Sequence, residues 1–392
     1  MPKKFEIYSK KILLSTGEFT TEVAIKTKDS VFYGSAPLGL TVGLKEEECS
    51  STNSKSIKKI NAIKNILELN QSKFDELVGE ICDSQTSTAL SLAFMKYQAA
   101  IKKIDEKNIF KFIAKQSKIQ ASSPKIITNL LNGGKHSENR LAFCEFMIIP
   151  QGKNTQQNIK IASEIYLDLK NIIKDNLGDD QLYIGREGGF APLISNVEKA
   201  IGLLNKAINK RNKNKCHIAI DVAGNNFAQK KQNEYIYTVN KNKYNSEQLI
   251  KYYDYLTKKF PLIKYLEDPL HENDIESWKK MNKLLGKKIL IVADDLTNST
   301  LNYIDKYKDC FNACILKVNQ ATSISKLMES YKFCVKNKIK TIISHRSGEV
   351  DSNIISHLAS GLASDYIKAG APARERIVKY NELIRISDQI KK

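Results

Sequence analysis

The sequence lacks the features that define several classes of protein. No stretch approaches the ~20 consecutive apolar residues that a membrane-spanning helix needs, and the N-terminal MPKKFEIYSKK lacks the apolar segment of a secretory signal peptide. The seven cysteines are scattered and form no CxxC pair, which is typical of reduced intracellular thiols and argues against a disulfide framework or a zinc site. We therefore expect a cytoplasmic protein.

Acidic residues are few relative to basic ones. The chain has 43 Asp and Glu against 62 Lys and Arg, a net charge of +19. Basic runs such as 206–215 contain no interleaved aromatic residues, which a single-stranded nucleic-acid platform would need, so we interpret them as solvated loops. Nucleic-acid binding stays open as an alternative, and a field of this sign also favours small anionic substrates.

The 392 residues, 42% of them hydrophobic, suit a large domain with a smaller one. Alternating apolar and polar residues over 5–36 predict antiparallel strands, and helical spacing over 55–77 and 86–104 predicts two helices. Residues 1–120 are therefore predicted to form an α+β domain.

From residue 121 to 392, short apolar runs alternate with helical stretches. Helices are predicted near 155–176, near 195–209 and from Ser246, the last with Asn245 and Gln248 as a capping box. The predicted strands are AFCEFMIIP, LYIG, HIAID, IKYLED, ILIVADD, ACILK, TIISHR and YIK. This many strand–helix units favour a parallel sheet closed into a TIM-type α/β barrel, while the alternative open sheet usually carries a glycine-rich phosphate turn that is missing here.

Charged side chains stand where six successive apolar runs end. The groups are Asp221, Glu267 with Asp268, Asp294 with Asp295, Lys317, His345 with Arg346, and Lys368. In a parallel barrel these ends converge on one face, where active sites form. One such acid is most simply a helix cap, but six strands with this feature predict a functional site.

The residue types indicate the chemistry. Asp221, Glu267 and Asp294 offer three carboxylates with at most one histidine nearby, and all-oxygen ligation suits Mg²⁺. A lysine such as Lys317 on the same rim, close to a divalent cation, is expected to have a lowered pKa and to act as a base. The site is predicted to stabilise a dianion while a proton leaves carbon.

Several long stretches resemble the enolase (phosphopyruvate hydratase) family. They include NLLNGGKHSENRLAFCEFMIIP, IGREGGFAP, AIDVAGNNF, YLEDPLHENDIESW, IVADDLTNST, ILKVNQATSIS, ISHRSGE and IKAGAPARERIVKYNELIRI. The resemblance covers nearly the whole chain and implies the dehydration of 2-phosphoglycerate to phosphoenolpyruvate in glycolysis and gluconeogenesis. The NGGKH stretch is similar to that of archaeal members, and the chain resembles a divergent member of the family.

The resemblance implies a role for each matching residue. Lys317 is the base that removes the C2 proton, and Glu187 is the acid that helps the C3 hydroxyl leave. Asp221, Glu267 and Asp294 hold a structural Mg²⁺, and a second Mg²⁺ arrives with the substrate. The substrate-binding residues implied are His136, Glu145, His345, Arg346, Ser347 and Lys368.

The sequence departs from the family pattern at several positions. Arg186 stands where enolases carry Asp before the catalytic Glu, and strand alternation favours its pointing away from Glu187. In the N-terminal lid loop the second Mg²⁺ is bound by a serine in enolases. Here Thr41 takes that place, and the nearby Leu38 and Leu40 are foreign to the family pattern. Cys144 replaces the glutamine that precedes Glu145.

These departures leave alternatives to a fully active enzyme. They are a weakly active or inactive enolase paralogue with a binding or scaffold role, another acid–base enzyme of the superfamily, and an enolase with an added nucleic-acid or surface role. The complete set of barrel residues favours an active enolase, for which the resemblance implies a homodimer or an assembly of dimers.

Overall fold

The structure is a computed structural model that describes residues 5–39, 54–210, 216–232 and 234–390. Its N-terminal part is a small sheet covered by helices. The elements are β1 Glu6–Leu13, β2 Phe19–Lys26, β3 Val31–Ser35, α1 Ser54–Asn61, α2 Gln71–Ile81, α3 Ser84–Ile101 and α4 Ile109–Ser117. The three strands pair antiparallel in the order β1-β2-β3, as their alternation predicts.

The helix predicted over 55–77 is wrong in its continuity. The structure has two helices there, α1 and α2, separated by a turn in which Asn65 adopts a left-handed φ of 58°. Asn70 then caps α2 by accepting a hydrogen bond from the Lys73 amide at 3.0 Å. A residue that caps a helix start has non-helical backbone angles, so one helix cannot continue through Asn70. Apolar spacing alone does not reveal this break.

The described residues of the C-terminal part form eleven strands. They are β4 Lys125–Asn132, β5 Glu145–Pro150, β6 Cys216–Asp221, β7 Ala228–Lys231, β8 Glu234–Val239, β9 Asn242–Asn245, β10 Ile263–Glu267, β11 Leu290–Ala293, β12 Ala313–Leu316, β13 Lys340–Ser344 and β14 Tyr366–Lys368. Eight of them close into a barrel in the order β4-β5-β6-β10-β11-β12-β13-β14, and β7-β8-β9 form a separate antiparallel sheet.

Helices follow most of the barrel strands. They are α5 Thr155–Leu177, α6 Val197–Lys210, α7 Ser246–Lys259, α8 Ile275–Leu285, α9 Leu301–Tyr307, α10 Val318–Ala321, α11 Ile324–Lys336, α12 Ile354–Gly361 and α13 Ile377–Ile390. The predicted capping box is present. The Asn245 side chain accepts a hydrogen bond from the Gln248 amide at 2.9 Å, and the Gln248 side chain accepts one from the Asn245 amide at 2.9 Å. Side chains such as Met147, Tyr265 and Ile315 fill the inside of the barrel.

The barrel differs from the predicted parallel sheet in one strand. β5 pairs antiparallel with both β4 and β6, whereas the other barrel neighbours are parallel. The first barrel strand, β4, was not among the predicted strands. LYIG is not a strand, since Ile184 makes only an isolated bridge to Phe190.

Polar contacts join the two parts at the start of α11. The Asp75 carboxylate on α2 accepts a hydrogen bond from the Ser325 amide at 2.9 Å, and the Ser91 hydroxyl on α3 accepts from the Ile324 amide at 2.9 Å. These bonds satisfy first-turn amides of α11 that have no partner within the helix. No helix in the described part of the chain is long and apolar enough to cross a membrane.

Candidate active site

The ends of the barrel strands bring ten of the predicted site residues around one cavity. The cavity is lined by His136, Glu145, Glu187, Asp221, Asp294, Lys317, His345, Arg346, Ser347 and Lys368, together with Cys144, Asp268 and Asp295. Glu267 is fully buried beside this set, at the end of β10. Strand ends that are distant in sequence thus meet on the carboxyl-terminal face of the barrel.

The reversal of β5 explains how Glu145 joins them. Glu145 is the first residue of β5 and pairs with Asp221, the last residue of β6. Because the strand runs against its neighbours, its start lies at the face where the other strands end. The resemblance implied a role for Glu145, but the strand pattern alone could not place it there.

Lys368 contacts three carboxylates at the centre of the site. Its Nζ lies 2.8 Å from Glu267 Oε1, 3.0 Å from Asp221 Oδ2 and 3.1 Å from Glu145 Oε1. Burial alone would lower the pKa of Lys368, but the three carboxylates raise it well above its usual value. Lys368 is therefore a permanent cation that holds these acids together.

Lys317 forms a second buried pair, with Asp294 Oδ2 on the neighbouring strand end. Burial, Arg346 and Lys368 lower the pKa of Lys317, but Asp294 outweighs them and the pKa is raised. This direction is opposite to the lowered pKa expected for a base beside a cation. The carboxylate that raises it is one of the predicted metal ligands.

Glu187 is presented by a tight turn. The Gly185 amide donates to the Gly189 carbonyl at 2.8 Å, Gly188 has a φ of 84°, and the Ala371 amide donates to the Glu187 carbonyl at 3.0 Å. A Cβ on Gly189 would lie 2.6 Å from Asn132 Oδ1, so the turn packs against β4 only without a side chain. Arg186 is exposed while Glu187 is buried, as expected, but both lie in a turn, so strand alternation is not the cause.

Two histidines flank Glu187. His345 Nε2 lies 3.3 Å from Glu187 Oε2, and His136 Nδ1 lies 3.9 Å from Glu187 Oε1 and 3.6 Å from Glu145 Oε1. Burial lowers the pKa of both histidines, to about 4 for His345. Both rings can therefore be neutral hydrogen-bonding partners at neutral pH.

Glu145 and Glu187 form a pair with opposite pKa shifts. Burial and the charge of Glu187 raise the pKa of Glu145 well above its usual value. Burial also acts to raise the pKa of Glu187, but its interactions with His345, which include a hydrogen bond, and with His136 and Lys368 lower it well below its usual value. Two neighbouring carboxyls that titrate apart are the arrangement that assigns separate acid and base roles.

The acidic rim fits a divalent cation. The donor set of Asp221, Glu267 and Asp294 is all oxygen, and Asp294 Oδ1 is buried without a hydrogen-bond partner among the described residues. The carboxylates of Asp268, Asp294 and Asp295 have oxygens within 4.8 Å of one another, and so could share an ion. Burial and the charge of Asp221 raise the pKa of Glu267 to about 8, because the neighbouring carboxylates repel one another when ionised.

Asp268 orients part of this rim. Its carboxylate accepts hydrogen bonds from the backbone amides of Asp294 at 3.0 Å and Asp295 at 2.8 Å. Asn225 in turn donates to Asp295 Oδ2 at 3.1 Å. These contacts fix the strand end that carries Asp294.

The N-terminal part contacts the barrel next to the cavity through the segment that follows β3. Leu38 forms two backbone hydrogen bonds with Gly348, each 2.9 Å long. A Cβ on Gly39 would overlap the Arg346 guanidinium, at 1.5 Å from one of its nitrogens. Leu40 and Thr41 lie outside the described residues, so the predicted ligand role of Thr41 stays a prediction.

Asn129 is a site residue that the sequence reasoning missed. Its Nδ2 lies 3.1 Å from Glu145 Oε2 and 3.4 Å from Glu187 Oε2, where it can donate to both carboxylates. The available signal was an amide inside the apolar run KIITNLL. A fully buried polar residue in a strand usually has a specific partner.

Comparisons with known proteins agree with this geometry. Residues 120–392 match the family model described as "Enolase, C-terminal TIM barrel domain". The chain is also 33% identical over 422 aligned positions to Enolase B of Dictyostelium discoideum, an alignment that covers 98% of this chain and 95% of that protein. The second comparison extends the similarity through the N-terminal sheet and helices.

Proposed function

The chain belongs to the enolase family, and from this premise we propose how its residues carry out the reversible dehydration of 2-phosphoglycerate to phosphoenolpyruvate. The enzyme is a carbon–oxygen hydro-lyase, a phosphopyruvate hydratase. The observation that supports the residue assignment is that one cavity is lined by the predicted acid and base, the anion-binding groups, and the metal ligands Asp221 and Asp294, with Glu267 buried beside it.

Lys317 is the proposed base. Its Nζ takes the proton from C2 of 2-phosphoglycerate, and the electron pair of the C–H bond becomes the C2–C3 double bond. To accept a proton, the lysine must first be neutral. Burial, Arg346 and Lys368 all favour the neutral amine, and only the contact with Asp294 strongly opposes it.

Mg²⁺ is the proposed cofactor. Asp221, Glu267 and Asp294 would hold it, and Thr41 would contribute to a second ion. When bound, such ions stabilise the negative charge that develops on the substrate carboxylate. Asp294 is also the carboxylate that raises the pKa of Lys317, so a cation held by Asp294 would weaken this effect.

Glu187 is the proposed acid. In dehydration it gives its proton to the C3 hydroxyl, which leaves as water, and in hydration the ionised carboxylate takes a proton from the attacking water. The low pKa of Glu187 in the ligand-free site suits hydration. A bound phosphate dianion beside it favours the protonated form, because like charges disfavour ionisation. Glu145 and His136 lie against Glu187 and hold its side chain in place.

Anion binding is assigned to the segment 345–347 and to Lys368. Arg346 offers a planar set of donors for a phosphate, and His345 and Ser347 on the same segment add neutral donors. Lys368 contributes a fixed positive charge for the substrate carboxylate. His136 completes the set from the segment between β4 and β5.

Properties outside the reaction are also proposals. We propose a cytoplasmic enzyme with domains at 1–120 and 121–392 that forms a homodimer. Leu13 and Phe19, each 60% exposed, and the exposed Val31 and Tyr33 give the small sheet an apolar surface that supports subunit contact. Light scattering tests the dimer, and salt-dependent RNA binding tests the nucleic-acid alternative.

The ultraviolet absorbance of phosphoenolpyruvate tests the function. Purified protein is mixed with 2-phosphoglycerate and Mg²⁺, and EDTA is then added. Turnover that EDTA abolishes is the expected result. A folded protein that shows no turnover at any Mg²⁺ concentration would instead favour the inactive paralogue.

A further inference from the structure

Arg376 is a buried arginine with no role in the reaction described so far. It lies in the short turn Arg374–Arg376 between β14 and α13, and its side chain is fully buried. Burying a guanidinium is unfavourable unless its donors are satisfied. The partners of this side chain therefore indicate what it does.

The guanidinium contacts the segment that the substrate is proposed to occupy. Its NH1 donates to His345 Nδ1 and to the Arg346 carbonyl, both at 2.9 Å. Its NH2 donates to the Ser347 carbonyl at 2.8 Å and lies 3.5 Å from the carbonyl of Arg186, the residue before Glu187. One side chain thus links the anion-binding segment to the turn that carries the proposed acid.

These contacts determine the protonation of His345. A guanidinium has donors only, so the Nδ1 atom that faces it must be an unprotonated acceptor. A neutral His345 then carries its proton on Nε2, which points toward Glu187 at 3.3 Å. A doubly protonated ring would place an N–H of Nδ1 against an N–H of Arg376, a repulsive contact. Burial and the charge of Arg376 both act to lower the pKa of His345.

We propose that Arg376 is a positioning residue with two effects. It fixes His345 as the Nε2–H tautomer, and it holds the backbone of Arg346 and Ser347 in the conformation that binds an anion. The inference rests on the proposed function, because that function gives the 345–347 segment its substrate. The neutral Nε2–H donor also avoids an imidazolium beside Glu187, which would stabilise the carboxylate and oppose its action as an acid.

The tautomer can be measured directly in the wild-type enzyme. Histidine labelled with ¹⁵N gives distinct imidazole shifts for protonated and unprotonated nitrogens, and the His345→Gln variant identifies the His345 signals. We expect an unprotonated Nδ1 and a protonated Nε2 at neutral pH. A protonated Nδ1 at neutral pH would overturn the proposal without any variant of Arg376.

Two variants test the consequence. Arg376→Met removes the donors while keeping an unbranched side chain, and Arg376→Lys keeps the charge with fewer fixed donors. In Arg376→Met we expect His345 to lose its single tautomer, and kcat/KM for 2-phosphoglycerate to fall about 10- to 100-fold because charge-assisted bonds are lost. Most of this fall should come from a higher KM and not from a lower kcat. Inhibition by inorganic phosphate, measured in the same assay, should also become weaker, and Arg376→Lys should recover part of both effects.

The matched control is Arg385→Met on α13, whose side chain is 66% exposed and pairs with Glu382 at 2.9 Å. It should keep the His345 tautomer and the wild-type KM. An Arg376→Met protein with the wild-type tautomer and a change in kcat/KM below about threefold would show a merely structural arginine. If Arg376→Met does not fold, the tautomer of His345 in the wild type and the kinetics of Arg376→Lys still test the proposal. If the wild type shows no turnover, the proposed function fails, while the tautomer measurement still tests Arg376.

Discussion

Lys317 and Asp294 form a buried ion pair across the neighbouring ends of β11 and β12. The proposed base and a proposed metal ligand are therefore direct partners. The pair keeps the lysine protonated, because Asp294 raises its pKa against the effect of burial. Ligation of Asp294 by a cation would weaken this contact and make the neutral amine available, which couples metal binding to the readiness of the base.

Replacing Lys317 by alanine should reduce kcat at least about 100-fold, since a positioned general base contributes 10²–10⁴-fold. The fold should persist, because the residue stands at a strand end lining the cavity. Steady-state kinetics measure the effect, and circular dichroism checks the fold. Lys336→Ala, at an exposed position on α11, is the matched control and should keep wild-type activity. A loss below tenfold in Lys317→Ala would contradict the assignment of the base.

The Glu187→Gln variant should separate the two proton transfers. Glutamine cannot donate a proton to the C3 hydroxyl, so dehydration should fall at least about 100-fold. Lys317 remains, so the C2 hydrogen of 2-phosphoglycerate should still exchange in D₂O, as followed by proton NMR. Glu276→Gln, an exposed acid paired with Lys279 at 2.8 Å, is the control. Equal loss of exchange and dehydration would show that Glu187 is not confined to the C3 step.

Magnesium affinity should increase from pH 6 to pH 9. The pKa of Glu267 is raised to about 8, so this carboxyl is protonated at pH 6 and ionised at pH 9. A cation needs the ionised oxygens, and its binding at neutral pH should therefore release protons. Calorimetry in two buffers with different ionisation enthalpies measures both quantities. Affinity that is constant over this range, with no proton release, would argue against Glu267 as a ligand.

Asp294→Asn should weaken magnesium binding at least about tenfold, because a neutral amide replaces a charged ligand. The surface variant Asp309→Asn should bind as the wild type does. Since asparagine cannot form the ion pair with Lys317, the same variant should lower the pKa of that lysine. Unchanged magnesium affinity in Asp294→Asn would place the ion elsewhere on the rim.

The sequence predicted the barrel from its repeated strand–helix units, and it predicted the site because the strand ends carry charged groups. Asp221, Glu267 and Lys368 each follow an apolar run, and each lies at the end of a barrel strand. A parallel barrel brings such ends together, so the pattern indicates where the site lies, while the role of each residue comes from the family resemblance. The structure places Lys368 within 3.0 Å of both acids.

The direction of β5 and the position of Glu145 could not be predicted in this way. An apolar run has no direction in its pattern, and pairing of Glu145 with Asp221 is set by the tertiary structure. LYIG is apolar enough for a strand, but Ile184 pairs only with Phe190 across the Glu187 turn. The contacts of Asn129 and Arg376 are likewise set by the tertiary structure, and the amide in the run KIITNLL gives no indication of its partners.

Gly39 gives a test of the unusual N-terminal part. A Cβ at Gly39 would overlap the Arg346 guanidinium, so Gly39→Ala should displace the proposed phosphate-binding group. We expect KM for 2-phosphoglycerate to rise about tenfold or more, because a charge-assisted contact to phosphate is weakened. The thermal stability of the variant should change little compared with this effect.

The matched control is Gly79→Ala. Gly79 lies on an exposed face of α2, where a Cβ meets no atom within 4 Å. Alanine is favoured over glycine in a helix by about 1 kcal/mol, so this variant should be slightly more stable and fully active. Steady-state kinetics and thermal unfolding of the two variants form one experiment. A Gly39→Ala enzyme with wild-type KM would mean that Arg346 can move aside without weakening substrate binding. The close approach of Gly39 to Arg346 would then not determine the geometry of the phosphate site.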